Sequence, residues 1–162
     1  MRPLLVGIIA AVLFSQPLSA YIHFNITERG QSVVVKWQRM PVRWFAKNSG
    51  VPGVTVSDFQ ATLSRAFATW QAVPTASISF QFAGFTGAEP SDEDGISVLG
   101  FQSNPGMDRV LGATGFIVDV ITGEIIESDI FFNSVFPWST SAAGDPLRFD
   151  LESVAVHEIG HF

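Results

Sequence analysis

Three residues near the end of the chain, His157, Glu158 and His161, have the types and spacing to do chemistry together. They stand in the run His157-Glu158-Ile159-Gly160-His161-Phe162, which reads H-E-x-x-H. On a helix, positions i and i+4 share one face, about 6 Å apart along the axis. His157 and His161 would then offer two imidazole nitrogens to one zinc ion. Glu158 beside them could take a proton from a zinc-bound water. Catalytic zinc takes three protein ligands and a water, so a third ligand must come from elsewhere in the chain or from residues beyond Phe162. The bare motif fixes only three positions of five, and its plain alternative is a helix with surface or packed histidines. Context favours the metal reading: Val154-Ala155-Val156 precedes the motif, as expected of a helix buried along one side, and Asp150 is well placed as its N-cap.

The elements that must position this helix are legible upstream. Gln31 to Trp37 and Val42 to Ala46 read as short strands around Pro41. Asn48 to Gly53 is loop by composition. Ser57-Asp58-Phe59-Gln60 reads as a capping box, followed by Phe59, Leu63, Phe67 and Trp70 at helical spacing and by Pro74 as a stop. Ile78, Phe80 and Phe82 alternate with polar residues as a half-buried strand, and Ile96 to Phe101 is an apolar one. Val110 to Val120 and Glu124 to Phe132 form a predicted hairpin through Thr122-Gly123. Ser139 to Pro146 is loop, and the final helix starts at Leu151. Strand, helix, several strands, helix is the order of an α+β domain with a mixed sheet.

The first twenty residues predict export. Met1-Arg2-Pro3 leads into an apolar run from Leu4 to Phe14, too short to span a bilayer, and Leu18-Ser19-Ala20 ends in a small residue suited to cleavage. Residues 1–20 are read as a secretory signal peptide, which implies a secreted protein without a stable membrane anchor. Its removal takes Arg2 and leaves eight basic against fifteen acidic residues, a net charge of about −7. Such a balance excludes nucleic acid as a partner, because too few cations remain to neutralise phosphates. With no cysteine, disulfides, thiolate ligands and thiol nucleophiles are excluded together, and the lack of disulfides leans toward bacterial export. About 140 mature residues make one domain, and the chain's 15 phenylalanines, all but Phe14 in that mature part, and 4 tryptophans supply a sizeable core.

Val154 to Phe162, V-A-V-H-E-I-G-H-F, resembles the active-site helix of matrixins, the matrix-metalloprotease branch of the metzincins. Pro41-Val42-Arg43-Trp44-Phe45 is similar to that family's first strand and Ser57 to Val73 to its long first helix. Asp119 to Asn133 resembles the hairpin of bacterial matrixin-like proteins, and coverage runs from about Val34 to Phe162. Residues 21–33 then form a short N-terminal segment, and residues 34–162 the N-terminal part of a catalytic domain. The resemblance implies a twisted mixed sheet of about five strands, a long first helix and a C-terminal active-site helix. It also implies a zinc metalloendopeptidase acting on protein or peptide substrates. His157 and His161 would be metal ligands, Glu158 the general base, and Val110 to Phe116 the edge strand along which substrate pairs. The family's glycine and third histidine would fall at positions 164 and 167, beyond Phe162.

Departures from the family pattern are equally specific. Phe131 stands where animal members place a structural-zinc histidine, so no structural zinc is expected. His23, the only other histidine, lies beside the cleavage point and reads as a solvated residue. Without cysteine there is no cysteine switch, and Tyr21 to Val33 is too short for a helical propeptide. Ser91-Asp92-Glu93-Asp94-Gly95 offers three carboxylates to calcium but lacks EF-hand spacing, and a solvated acidic loop is the preferred reading. Asn25-Ile26-Thr27 is a glycosylation sequon, meaningful only in a eukaryotic secretory pathway. The four tryptophans read as core and packing residues. Two rival functions stay open: a metalloprotease whose third ligand is a downstream glutamate, and, if the chain truly ends at Phe162, a non-catalytic exported domain; residues 21–162 alone are expected to bind metal weakly and not to turn over.

Overall fold

The computed structural model describes residues 24–28 and 30–162. The expected signal peptide, residues 1–20, and His23 lie outside the described residues. β-branched and aromatic runs form the strands β1 (Asn25–Glu28), β2 (Gln31–Val34), β3 (Val42–Lys47), β4 (Phe80–Thr86), β5 (Ser97–Gln102), β6 (Gly112–Val118), β7 (Ile125–Asn133), β8 (Trp138–Ser139) and β9 (Phe149–Asp150). Two helices join them, α1 (Val56–Gln71) and α2 (Leu151–Ile159). A five-stranded mixed sheet of order β4-β3-β5-β7-β6 is the α+β framework expected. All neighbours in it are parallel except β6, which runs antiparallel to β7 and forms one edge.

Period-two alternation sends Val42, Trp44 and Ala46 of β3 to one face of the sheet, where each is almost fully buried. On the same face lie Leu99, Phe101, Ile130 and Phe132. Helix α1 lays Phe59, Leu63, Ala66 and Phe67 across them, the i, i+4, i+8 stripe legible in the sequence. Phe67 stacks on Trp44 with ring centroids 4.7 Å apart, and Phe59 packs against Phe101 at 4.8 Å. Helix α2 adds Leu151, Ala155 and Ile159, again four residues apart, so its remaining faces are left for other work. Among the described residues no helix is long and apolar enough to cross a membrane.

Several boundaries differ from expectation, each for a local reason. Helix α1 is capped by Thr55, two residues before Ser57: its hydroxyl accepts from the Asp58 N–H and donates to the Asp58 carboxylate. This pair of bonds between Thr55 and Asp58 takes the cap in place of the expected Ser57 and Gln60. The hairpin between β6 and β7 turns through six residues, not through Thr122-Gly123 alone. Asp119 causes this, because its Oδ1 accepts from the N–H groups of both Ile121 and Thr122 and winds the chain locally. Those two bonds also hold the Asp119 carboxyl below the usual carboxylate range. Strand β2 stops at Val34, since its partner β1 supplies only four residues, and Lys36 instead bridges to Glu124 at the head of β7.

Candidate metal centre

Asp150 caps α2 as expected, accepting from the Ser153 N–H at 2.8 Å. The helix ends at Ile159, so His157 lies within its last turn and His161 just past it. Both histidines are exposed. Their ring centroids are 5.1 Å apart and nearly perpendicular, at 77°. Two imidazoles bound to one tetrahedral zinc through nitrogens at about 2.0–2.1 Å would hold their centroids roughly 5 Å apart. The residues present therefore fit two of the ligands of such an ion. Among the described residues no group of three or more His, Cys, Asp or Glu converges as a metal site.

Glu158, next to the exposed His157, is itself buried, 7% exposed. Its Oε2 accepts from the Thr114 hydroxyl at 2.9 Å, and the same hydroxyl lies 3.0 Å from the Glu158 carbonyl. Thr114 belongs to the edge strand β6, so the carboxylate is tied to the strand that borders the site. Gly112 makes the approach feasible: a Cβ there would sit 3.1 Å from the Phe131 carbonyl oxygen and 3.3 Å from Glu158 Cγ. A shallow cleft of about 450 Å³ opens between the two elements. Arg109 to Gly112 line one side, and Ser153, Val154, His157 and Glu158 the other. With Glu158 as the expected general base, replacing Thr114 by Val should leave the fold intact but free the carboxylate, lowering kcat about tenfold with little change in KM. Unchanged kcat would show that the Thr114 bond does not orient Glu158.

Sequence reasoning missed Thr114, and also two indoles, one reaching α2 and one the residues just past it. Trp37 donates to the Phe162 carbonyl at 2.9 Å and Trp70 to the Val156 carbonyl at 2.8 Å. A tryptophan run gives no hint of which distant carbonyl it will meet.

The acidic stretch Ser91 to Gly95 uses its carboxylates locally. Asp92 accepts from the Glu89 N–H and Asp94 from the Ile96 N–H. The more perturbed acid lies on the sheet face away from α2. Asp129 is buried and accepts from the Val98 N–H at 2.7 Å, beside Glu127, which accepts from the Gly95 N–H. Burial pushes the Asp129 carboxyl up to about 7; the Val98 N–H opposes this, while the charges of Glu127, Asp94 and Asp92 add to it. Below its ordinary value of 3.8 the group is neutral folded or unfolded. Above that, the unfolded chain ionises first, so stability falls as pH rises until the folded group ionises near 7. The melting temperature should therefore drop by several degrees between about pH 5 and pH 8. Asp129→Asn keeps the acceptor for Val98 and should flatten that slope; a slope identical to wild type would contradict the assignment.

Comparison with known protein families finds a match to the matrixin peptidase family over residues 36–162. No individual curated protein matches the chain. The matched span covers the whole five-stranded sheet, both helices and the H-E-x-x-H run. The chain therefore belongs to the matrixin family of metallopeptidases.

Proposed function

We propose that this matrixin is an exported, zinc-dependent endopeptidase, with His157 and His161 as two of its zinc ligands and Glu158 as its general base. One observation carries the reading: two exposed imidazoles 5.1 Å apart stand beside a buried carboxylate hydrogen-bonded to the sheet's edge strand. A zinc ion held there would supply Lewis-acid chemistry, making water more acidic and a carbonyl more electrophilic. Glu158 Oε2, oriented by Thr114, takes the proton from the attacking water. The same carboxyl then returns it to the amide nitrogen of the leaving group. Strand β6 presents its outer backbone edge to solvent, and an extended peptide adds to it as a further strand, which brings its scissile bond to the cleft. Export rests on residues 1–20, and mature protein recovered outside the cytoplasm should begin at or near Tyr21.

The test is product analysis. The full-length protein is incubated with an unfolded protein substrate in water enriched in heavy oxygen. Hydrolysis predicts new internal N-termini, and one heavy oxygen in each new C-terminal carboxylate. No new termini, with metal bound and the fold intact, would refute the enzymatic reading.

A further inference from the structure

The last four carbonyls of an α-helix have no partner within it, and in α2 these belong to Val156, His157, Glu158 and Ile159. Past Ile159 the backbone tightens. Gly160 donates to the His157 carbonyl at 3.0 Å, His161 to Glu158 at 2.9 Å and Phe162 to Ile159 at 3.3 Å, each three residues back. That shift deprives the Val156 carbonyl of the Gly160 N–H that a continuing α-helix would give it. Trp70 of α1 supplies the replacement, its Nε1 donating to Val156 at 2.8 Å.

The same indole ring lies against Gly160. A Cβ at Gly160 would sit 2.8 Å from Trp70 Cζ2 and 3.0 Å from the His157 carbonyl oxygen. Trp70 thus holds the carbonyl just before His157 and covers the residue just before His161. Winding between those two residues sets how their side chains face one another. Each residue turns about 100° in an α-helix and about 120° in a 3₁₀ turn, so over four residues the two forms differ by about 80°.

We infer that Trp70 is a positioning residue for the metal centre, its indole fixing the winding of the turn that joins His157 to His161. This rests on the reading of those histidines as zinc ligands. Trp70 acts through the backbone, at the Val156 carbonyl and at Gly160. A residue that merely filled space between α1 and α2 would affect stability alone.

The test uses cobalt(II) added to metal-free full-length protein, because zinc itself is spectroscopically silent. Placing the benzothiophene isostere of tryptophan at position 70 keeps ring shape and removes only the donor; Trp70→Phe is the coarser version. Both should bind cobalt about tenfold more weakly with an altered visible spectrum, while the metal-free melting temperature falls by no more than a few degrees. Gly160→Ala, which pushes the ring from the other side, should do the same, and its combination with the isostere should cost less than the sum. Wild-type affinity and spectrum in the folded isostere protein would overturn the inference and leave the metal centre standing. A wild-type protein whose cobalt binding survives His157→Ala would overturn the ligand reading, and this inference with it.

Discussion

Replacing Glu158 by Gln is expected to lower kcat for peptide hydrolysis by about 10²–10⁴-fold while metal content stays nearly unchanged. Glutamine keeps the size of the side chain and an oxygen for the Thr114 hydroxyl, which donates to Glu158 Oε2 in the native protein. What it lacks is the capacity to take a proton at neutral pH. Glu158 is buried against β6, while His157 in the last turn of α2 and His161 just past it are exposed, so the proposed base and the proposed ligands are separate groups. Loss of metal in step with loss of activity would instead make Glu158 a ligand. Activity within about tenfold of wild type would remove it from the chemistry.

The second large effect is expected from Asn133→Asp. Asn133 is fully buried at the end of β7. Its Nδ2 lies within hydrogen-bond distance of the carbonyls of Asn104, Met107 and Val110, at 3.0, 3.1 and 3.2 Å. Its Oδ1 accepts from the Asn104 N–H at 3.1 Å. One amide thus laces the loop between β5 and β6, which leads into the cleft wall at Arg109 to Gly112. Aspartate would aim a second acceptor at three carbonyls. Unpaired buried acceptors cost about 1–3 kcal/mol each, and a buried charge costs more. A loss of about 3–5 kcal/mol, or roughly 10 °C in melting temperature, is expected. Amides from 104 to 111 should exchange faster with solvent even where the rest stays folded. A melting temperature within about 2 °C of wild type would mean that the lacing carries little of the stability.

Asn133 also shows what a sequence withholds. Periodicity made Phe59, Leu63 and Phe67 legible as a buried stripe and Leu151 to Ile159 as a helix, because those signals are local and repeat. The motif itself made His157, Glu158 and His161 legible as candidates. The matrixin match extends over the elements that the sequence suggested as similar, from residue 36 onward. Groups that hold the candidates in place were not legible. Thr114, Trp37 and Trp70 each satisfy a carbonyl or carboxylate more than forty positions away, and nothing in their immediate neighbours says so. Element ends slipped where two local options competed. Thr55 outcompeted Ser57 for the cap because Asp58 reciprocates, and Asp119 enlarged a turn by collecting two N–H groups. The predicted strand through Ile78 begins only at Phe80, since its partner β3 starts at Val42 and offers no ladder before it.

Peptide hydrolysis by this protein is proposed to depend on a metal held by His157 and His161. Full-length protein, stripped by a strong chelator and assayed on an unfolded protein substrate, should lose cleavage by at least about tenfold and regain it on addition of stoichiometric zinc. His157→Ala should not regain it. Cleavage that persists undiminished after chelation, with metal verified absent, would rule out that dependence.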